Sequence, residues 1–260
     1  MKLLRLFGAI FSLSLKRELT FRAEFIFQVL LTATAIIAGI ATLGIVYTQT
    51  TMLGGWSLGE ATTLLGTFQV VSGILSTFIE PNLTWFTSQV KNGKLDAILL
   101  QPVPSIFLAS LGSCAPLGLG EVALGAILVL IGLYEVGKVP TATGILGWLV
   151  MVAVGIVITW ASRMLLASLA FWAPSVELDV LYQALWQCGR YPVSIYRQPI
   201  RFALTYMLPV AFISTIPASM LIHGTDLLQI VTGPIVGAGA IIVVQSVWNA
   251  GLRRYTSATS

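Results

Sequence analysis

One histidine, His223, and two cysteines, Cys114 and Cys188, are all that 260 residues offer for metal or redox chemistry. No second histidine stands four positions from His223, the spacing by which one helix face presents two zinc ligands, so it reads as an ordinary residue at a helix end. Cys114 falls in an apolar stretch and Cys188 in a polar one, and both read as free thiols. Charge is equally scarce. Asp, Glu, Lys and Arg make up 9% of the chain, which excludes an ordinary soluble domain and leaves no solvated basic surface of the kind nucleic acid requires. No G-x-S-x-G lies within an apolar run to expose a hydrolase nucleophile. The nearest approach to a phosphate loop, Gly132 to Val139, reads G-L-Y-E-V-G-K-V and puts Val139 where a Ser or Thr must hold magnesium, so it is a coincidence of composition.

What is abundant is apolar sequence, 57% of the residues. Crossing a hydrocarbon core of ~30 Å takes about 20 helical residues, and six stretches suffice: 25–47, 61–79, 105–133, 143–172, 202–221 and 230–248. The sequence therefore predicts an all-α polytopic membrane protein, a single transmembrane domain over 1–260. The third and fourth stretches exceed the required length and predict tilt or extension past the bilayer; Pro209 and Pro217 predict a kink or early unwinding in the fifth. Residues 1–22 resemble a signal peptide in having Lys2 and Arg5 before an apolar run, but that run ends in Lys16, Arg17 and Glu18 without a small-residue cleavage site. At 100° per residue Lys2, Arg5, Ser12 and Lys16 gather on one side, followed by Arg17, and Leu4, Phe7, Phe11 and Leu15 on another, the pattern of an interfacial helix with its basic face toward anionic headgroups.

The basic residues set an orientation. Lys2, Arg5, Lys16, Arg17, Arg22, Lys91, Lys94, Arg190, Arg197, Arg201, Arg253 and Arg254 fall on one side of a six-span arrangement and Lys138 alone on the other. That asymmetry predicts cytoplasmic termini and a cytoplasmic connection over 173–201. On the opposite side, 217–229 reads as a short re-entrant or interfacial hairpin.

Between the second and third stretches, residues 89–104 form a polar bend. Gly93 permits a turn, Leu95, Ile98 and Leu99 supply an apolar face for one or two helical turns, Lys94 and Asp96 supply charge beside it, and Pro102 with Pro104 stops the helix. Such an element is either a solvated topogenic loop or a handle for a soluble partner. Charges inside spans carry a second signal, because each must face protein or water: Glu80 at the inner end of the second span, Glu121 in the third and Arg163 in the fourth. Glu121 and Arg163 either neutralise each other, or Glu121 lines a path for cationic substrates. Gly233 with Gly237, and Ala35 with Gly39, are small-residue pairs suited to helix packing or dimerisation.

Taken together these segments resemble the membrane subunits of ABC-2 type exporters, in the six-span branch that includes antibiotic-export and viologen-export permeases. The likeness rests on the basic amphipathic start, VKNGKLDAILLQPVP at 90–104, LAFWAPS at 169–175, YPVSIYRQPIR at 191–201 and LPVAFISTIPASML at 208–221. Its most distinctive part is a G-x-L-D-x-x-L-L-x-P core at Gly93, Leu95, Asp96, Leu99, Leu100 and Pro102. The resemblance implies a type V exporter fold in which 1–22 is a connecting helix, 89–104 a coupling helix seated in an ATPase, and 217–229 an external re-entrant element. It implies an ABC ATPase subunit carrying ATP and magnesium, with no cofactor on this chain, a second permease of the same or a related chain, and membrane lipids as partners. It further implies a multi-pass location in the cytoplasmic membrane of a prokaryote and export of a lipophilic or amphipathic small molecule. The competing reading is an intramembrane enzyme or a non-transporting membrane anchor, and the first of these lacks any nucleophile, base or metal set in the spans.

The orientation is tested by labelling introduced cysteines from outside intact cells. Thiols at Gly55 and Thr141 should react and those at Asn92 and Ser257 should not; external labelling at Asn92 would overturn the assignment.

Overall fold

The structure, a computed structural model, describes residues 2–20, 22–173, 179–207 and 210–255. Its helices are α1 (Lys2–Thr20), α2 (Arg22–Gln49), α3 (Leu58–Phe78), α4 (Glu80–Lys91), α5 (Asp96–Leu99), α6 (Ser105–Leu111), α7 (Leu119–Val136), α8 (Ala142–Ser168), α9 (Asp179–Gln187), α10 (Ile200–Phe202), α11 (Thr215–His223) and α12 (Leu227–Leu252). Among the described residues five helices are long and apolar enough to cross a membrane: Val29–Gln49, Leu58–Phe78, Pro116–Val136, Ala142–Phe171 and Leu227–Leu252. The architecture is thus an all-helical polytopic bundle, with the expected fifth stretch broken into pieces.

At the centre stands α3, buried along nearly its whole length. Its closest partner is α7, and the two run antiparallel on interlocking glycines seven residues apart. Gly59, Gly66 and Gly73 of α3 meet Gly132, Gly125 and the Glu121–Val122 turn of α7. A Cβ added at Gly66 would stand 2.6 Å from the Val129 amide nitrogen, and one at Gly125 2.7 Å from that of Val70. With no hydrophobic force to drive helices together in lipid, such backbone-to-backbone approach is what packing can supply. Other glycines serve the same end less closely. Gly39 of α2 receives Leu65, and Gly233 of α12 lies on Met151 while Gly237 lies near Val157 of α8, so the Gly233–Gly237 pair packs inside the bundle, whereas of the Ala35–Gly39 pair Gly39 does so and Ala35 is exposed.

The third stretch is broken rather than tilted. Ala115 precedes Pro116 and takes ψ 80°, out of the helical region, as a residue before proline tends to do. The freed backbone is satisfied by neighbours. Asn82, 1% exposed, donates to the carbonyls of Phe78, Ser110 and Ser113 and accepts from the Ser113 amide and hydroxyl; the Ala115 amide donates to the Thr77 carbonyl. From α1, Ser14 Oγ accepts from the Cys114 amide and Glu18 Oε2 from the Leu117 amide, while Phe7 and Phe11 rest on Phe78.

A second departure concerns 173–201, expected as a connection on one side. Tyr182 lies 2.6 Å from Ser162 near the end of α8, Trp186 donates to Ser72 midway along α3, Gly189 packs on Phe68, and Ser194 donates to the Gly54 carbonyl in the α2–α3 turn. The segment therefore climbs through the bundle from the end that holds the 89–104 bend to the far end. It then folds back, for Ser214 Oγ donates to the Gly189 carbonyl and the Val193 amide to Thr215 Oγ1, before α11 climbs again. These side chains supply what irregular backbone needs at membrane depth. Basic residues drew the segment to the charged side in the sequence, whereas Arg190 in fact lies over the Phe68 ring, 5.7 Å from its centroid.

Pro217 falls in the first turn of α11, where a missing N–H breaks no helical bond, and so starts a helix instead of kinking one. Pro209 lies outside the described residues. Residues 217–229 are the end of α11, a short turn through Gly224 at φ +93°, and the start of α12 capped by Asp226. G-W-S-L-G at 55–59, just ahead of the second stretch, turns into α3 without a preceding strand; the Ser57 amide there bonds to Glu60 Oε2, the arrangement of a helix start and not of a nucleophile elbow.

The glycine interlock makes a paired forecast for thermal unfolding in detergent. Gly66→Ala should cost about 1–3 kcal/mol, since overpacking against backbone has no side chain to yield. Gly120→Ala, on the same pair's open side with nothing within 4 Å, should be neutral or slightly stabilising.

Candidate functional site: the bend after α3 and the charges beside it

Helix α4 ends in the bend by a Schellman arrangement. Gly93 takes φ +64°, its amide donates to the Val90 carbonyl and the Lys94 amide to the Gln89 carbonyl. A side chain at Gly93 would be strained at that φ, which is why glycine ends the helix here. The Leu95 amide then donates to the Tyr255 hydroxyl at 3.0 Å, tying the bend to the end of α12.

The face of α5 differs from the sequence reading. Leu95 and Ile98, expected with Leu99 to face a partner, are 0% and 2% exposed and join the core with Phe86 and Val90. Leu99 is 39% and Leu100 85% exposed, with Lys94, Gln101 and Pro102 also exposed around them. Leu95 and Ile98 lie three apart and share one face, which turns Leu100 away, while Leu99, four from Leu95, stands at the edge of that face and is the less exposed of the two outer leucines. Asp96 opens α5, where a carboxylate suits the helix start. Tyr255, which fixes this bend from below, was missed by sequence reading. It belongs to no local motif, and its partner Leu95 lies 160 residues away.

A cluster of aromatic rings stiffens the base of the arm. Phe86 of α4 lies 4.8 Å from Trp248 of α12 and 5.8 Å from Phe171, measured between ring centroids, and Trp248 Nε1 donates to Ser105 Oγ at the start of α6. Leu99 and Leu100 thus project from a fixed platform.

Arg163 does not meet Glu121. Its Nη1 pairs with Glu80 Oε1 at 2.8 Å, the arginine side chain 5% and the glutamate 39% exposed. Its guanidinium carbon also lies 5.3 Å from the Tyr182 ring centroid and 5.4 Å from that of Trp186. Glu121 instead accepts from Thr32 Oγ1 of α2 and Gln69 Nε2 of α3, both at 3.4 Å. The sequence placed Glu80 at the inner end of the second span, Glu121 in the third and Arg163 in the fourth, but it carries no signal for which face of each helix turns inward. At the N-terminus Arg5, Lys16 and Arg17 are exposed on α1, and the side chain of Lys2 lies outside the described residues.

An all-helical bundle with several membrane-crossing helices and an exposed apolar corner on a stiff bend has the form of a transport component in the membrane. The chain matches the family described as ABC-2 family transporter protein over residues 30–259, and it belongs to that family. It is accordingly a permease-type membrane subunit of an ABC transporter, a class that works with an ATPase partner. No curated protein and no solved structure matches it.

The charge assignment is checked by double-mutant cycles on thermal stability. Glu80→Gln and Arg163→Met should be strongly non-additive, each alone costing on the order of 1–3 kcal/mol because Glu80 is partly solvated. Glu121→Gln and Arg163→Met should add to within about 0.5 kcal/mol.

Proposed function

We propose that this chain is the permease of an ATP-driven exporter that moves a lipophilic or amphipathic small molecule out of the cytoplasm or the inner leaflet. Energy enters through a separate ABC ATPase that holds ATP and magnesium, and it reaches the permease at Leu99, Leu100 and Pro102. The observation that carries this reading is the split face of α5. Leu95 and Ile98 lock the short helix to its own bundle, and the neighbouring leucines stand in solvent where a partner's groove can take them. Exposed apolar side chains rimmed by charge, here Lys94 and Asp96, are the composition of an interaction hot spot.

In this proposal the membrane crosses the bundle six times, the sixth passage made by the broken segment from α9 to α11, and both termini lie in the cytoplasm of a prokaryote. Helix α1 lies in the inner interface as a connecting helix, with Arg5, Lys16 and Arg17 toward anionic lipid and Phe7 and Phe11 against the bundle. A second permease, of the same or a related chain, completes the translocation path in a type V arrangement. Spans rich in aliphatic and aromatic residues suit apolar cargo.

Four substitutions test the docking role, scored by membrane abundance and by ATPase co-purification. Leu99→Asp and Leu100→Asp should leave abundance near normal and abolish ATPase association, since a carboxylate would be desolvated only in the complex. Ile98→Asp should lower abundance itself, because it buries a carboxylate in the permease. Thr141→Asp should change neither. Undiminished ATPase association in both Leu99 and Leu100 variants would make the bend a topogenic loop only.

A further inference from the structure

Arg163 is gripped from two sides by different physics. One grip is the 2.8 Å ion pair to Glu80, and Glu80 is the first residue of α4, the arm that carries the docking corner. The other is aromatic: Tyr182 and Trp186, one turn apart on α9, stack at 6.5 Å between centroids and present their faces to the guanidinium. Among the described residues Nε and Nη2 of Arg163 have no hydrogen-bond acceptor, so the rings supply the contact on that side. A charge-assisted hydrogen bond is directional and follows its partner, whereas attraction to a ring face tolerates sliding from one face to the next. Behind α9 stands the segment that climbs to Gly54 at the far end. Trp186 is itself lodged between Ser72 and Phe68 of the central helix.

We propose that Arg163 is a positioning residue for coupling: it transmits displacement of the α4–α5 arm to α9, and through α9 to the segment leading to the far end. Motion of the arm carries the guanidinium by the Glu80 carboxylate, and the rings of Tyr182 and Trp186 follow or release it. This rests on the reading of the chain as an ATPase-driven permease, and it concerns a residue that touches neither the ATPase nor the docking corner.

Cys188, immediately after α9, is a native reporter. In a Cys114→Ser background it is the single thiol of the chain. The permease is co-purified with its ATPase into lipid nanodiscs, and the rate of Cys188 modification by a maleimide is measured without nucleotide and after trapping with ATP and vanadate. The parent should change rate several-fold on trapping. Glu80→Gln removes the first grip, Tyr182→Leu one ring of the second, and Arg163→Lys keeps charge but loses the planar group that lies on both rings. Each should still bind the ATPase and hydrolyse ATP, with Cys188 rates that no longer differ between the two states. Glu80→Asp and Tyr182→Phe, which keep a carboxylate and a ring, should restore the difference, an outcome that a purely structural role does not give. A parent without a rate change while ATP is hydrolysed, or Glu80→Gln and Tyr182→Leu variants that keep the full change, would overturn the proposal. Should Arg163→Lys fail to accumulate, those two variants decide it. Failure to recover any ATPase with the parent would instead count against the underlying permease reading.

Discussion

Everything in this bundle is built outward from the contact between α3 and α7, where two backbones meet across glycines. In lipid, apolar side chains gain nothing by leaving the solvent, so helices associate through close van der Waals contact and through polar groups that would otherwise be stranded. Three glycines at seven-residue intervals on α3 meet Gly132, Gly125 and the Glu121–Val122 turn of α7, and the period of seven keeps one stripe in register along two turns at a time. With α3 enclosed in this way, α8, α11 and α2 have a fixed post to pack on, and the long apolar faces of α2 and α12 remain for the bilayer.

Rigid pairing has a counterpart in the segments where helix is interrupted. The 112–118 break and the 188–196 stretch both leave backbone groups without helical partners, and both are repaired by polar side chains: Asn82, Ser14 and Glu18 at the first, Ser214, Thr215 and Tyr196 at the second. The first separates α6, which leaves the bend, from α7, which is locked to α3; the second follows α9.

The sequence made some of this legible and concealed the rest. Hydropathy over 20-residue windows located five helices, because that signal depends on composition alone. The bend was legible through Gly93 and the prolines, whose backbone limits act locally. What failed was anything that needed direction. Basic residues at 190, 197 and 201 pointed 173–201 to one face of the membrane, yet Arg190 can lie against a ring within the bundle. Three leucyl-type residues at 95, 98 and 99 looked like one docking face, but only a known neighbour for α5 reveals that 95 and 98 are spent on the core. The partner of Arg163 was likewise undetermined, since Glu80 and Glu121 are equally remote in sequence logic. The glycine interlock was the one feature that sequence could have yielded, through the G-x6-G-x6-G repeat at 59, 66 and 73 and again at 118, 125 and 132.

The hydrogen bond from the Leu95 amide to Tyr255 joins residues 160 positions apart. During synthesis the bend reaches the cytoplasmic surface of the proposed topology long before α12 exists, and until then the first turn of α5 lacks this acceptor and the Phe86 ring lacks Trp248. If the bend docks the ATPase as proposed, its corner matures last, after the final helix has been inserted. A permease caught half-built would then present a softer, incompletely formed handle, and the order of chain growth would itself discourage premature assembly with the ATPase.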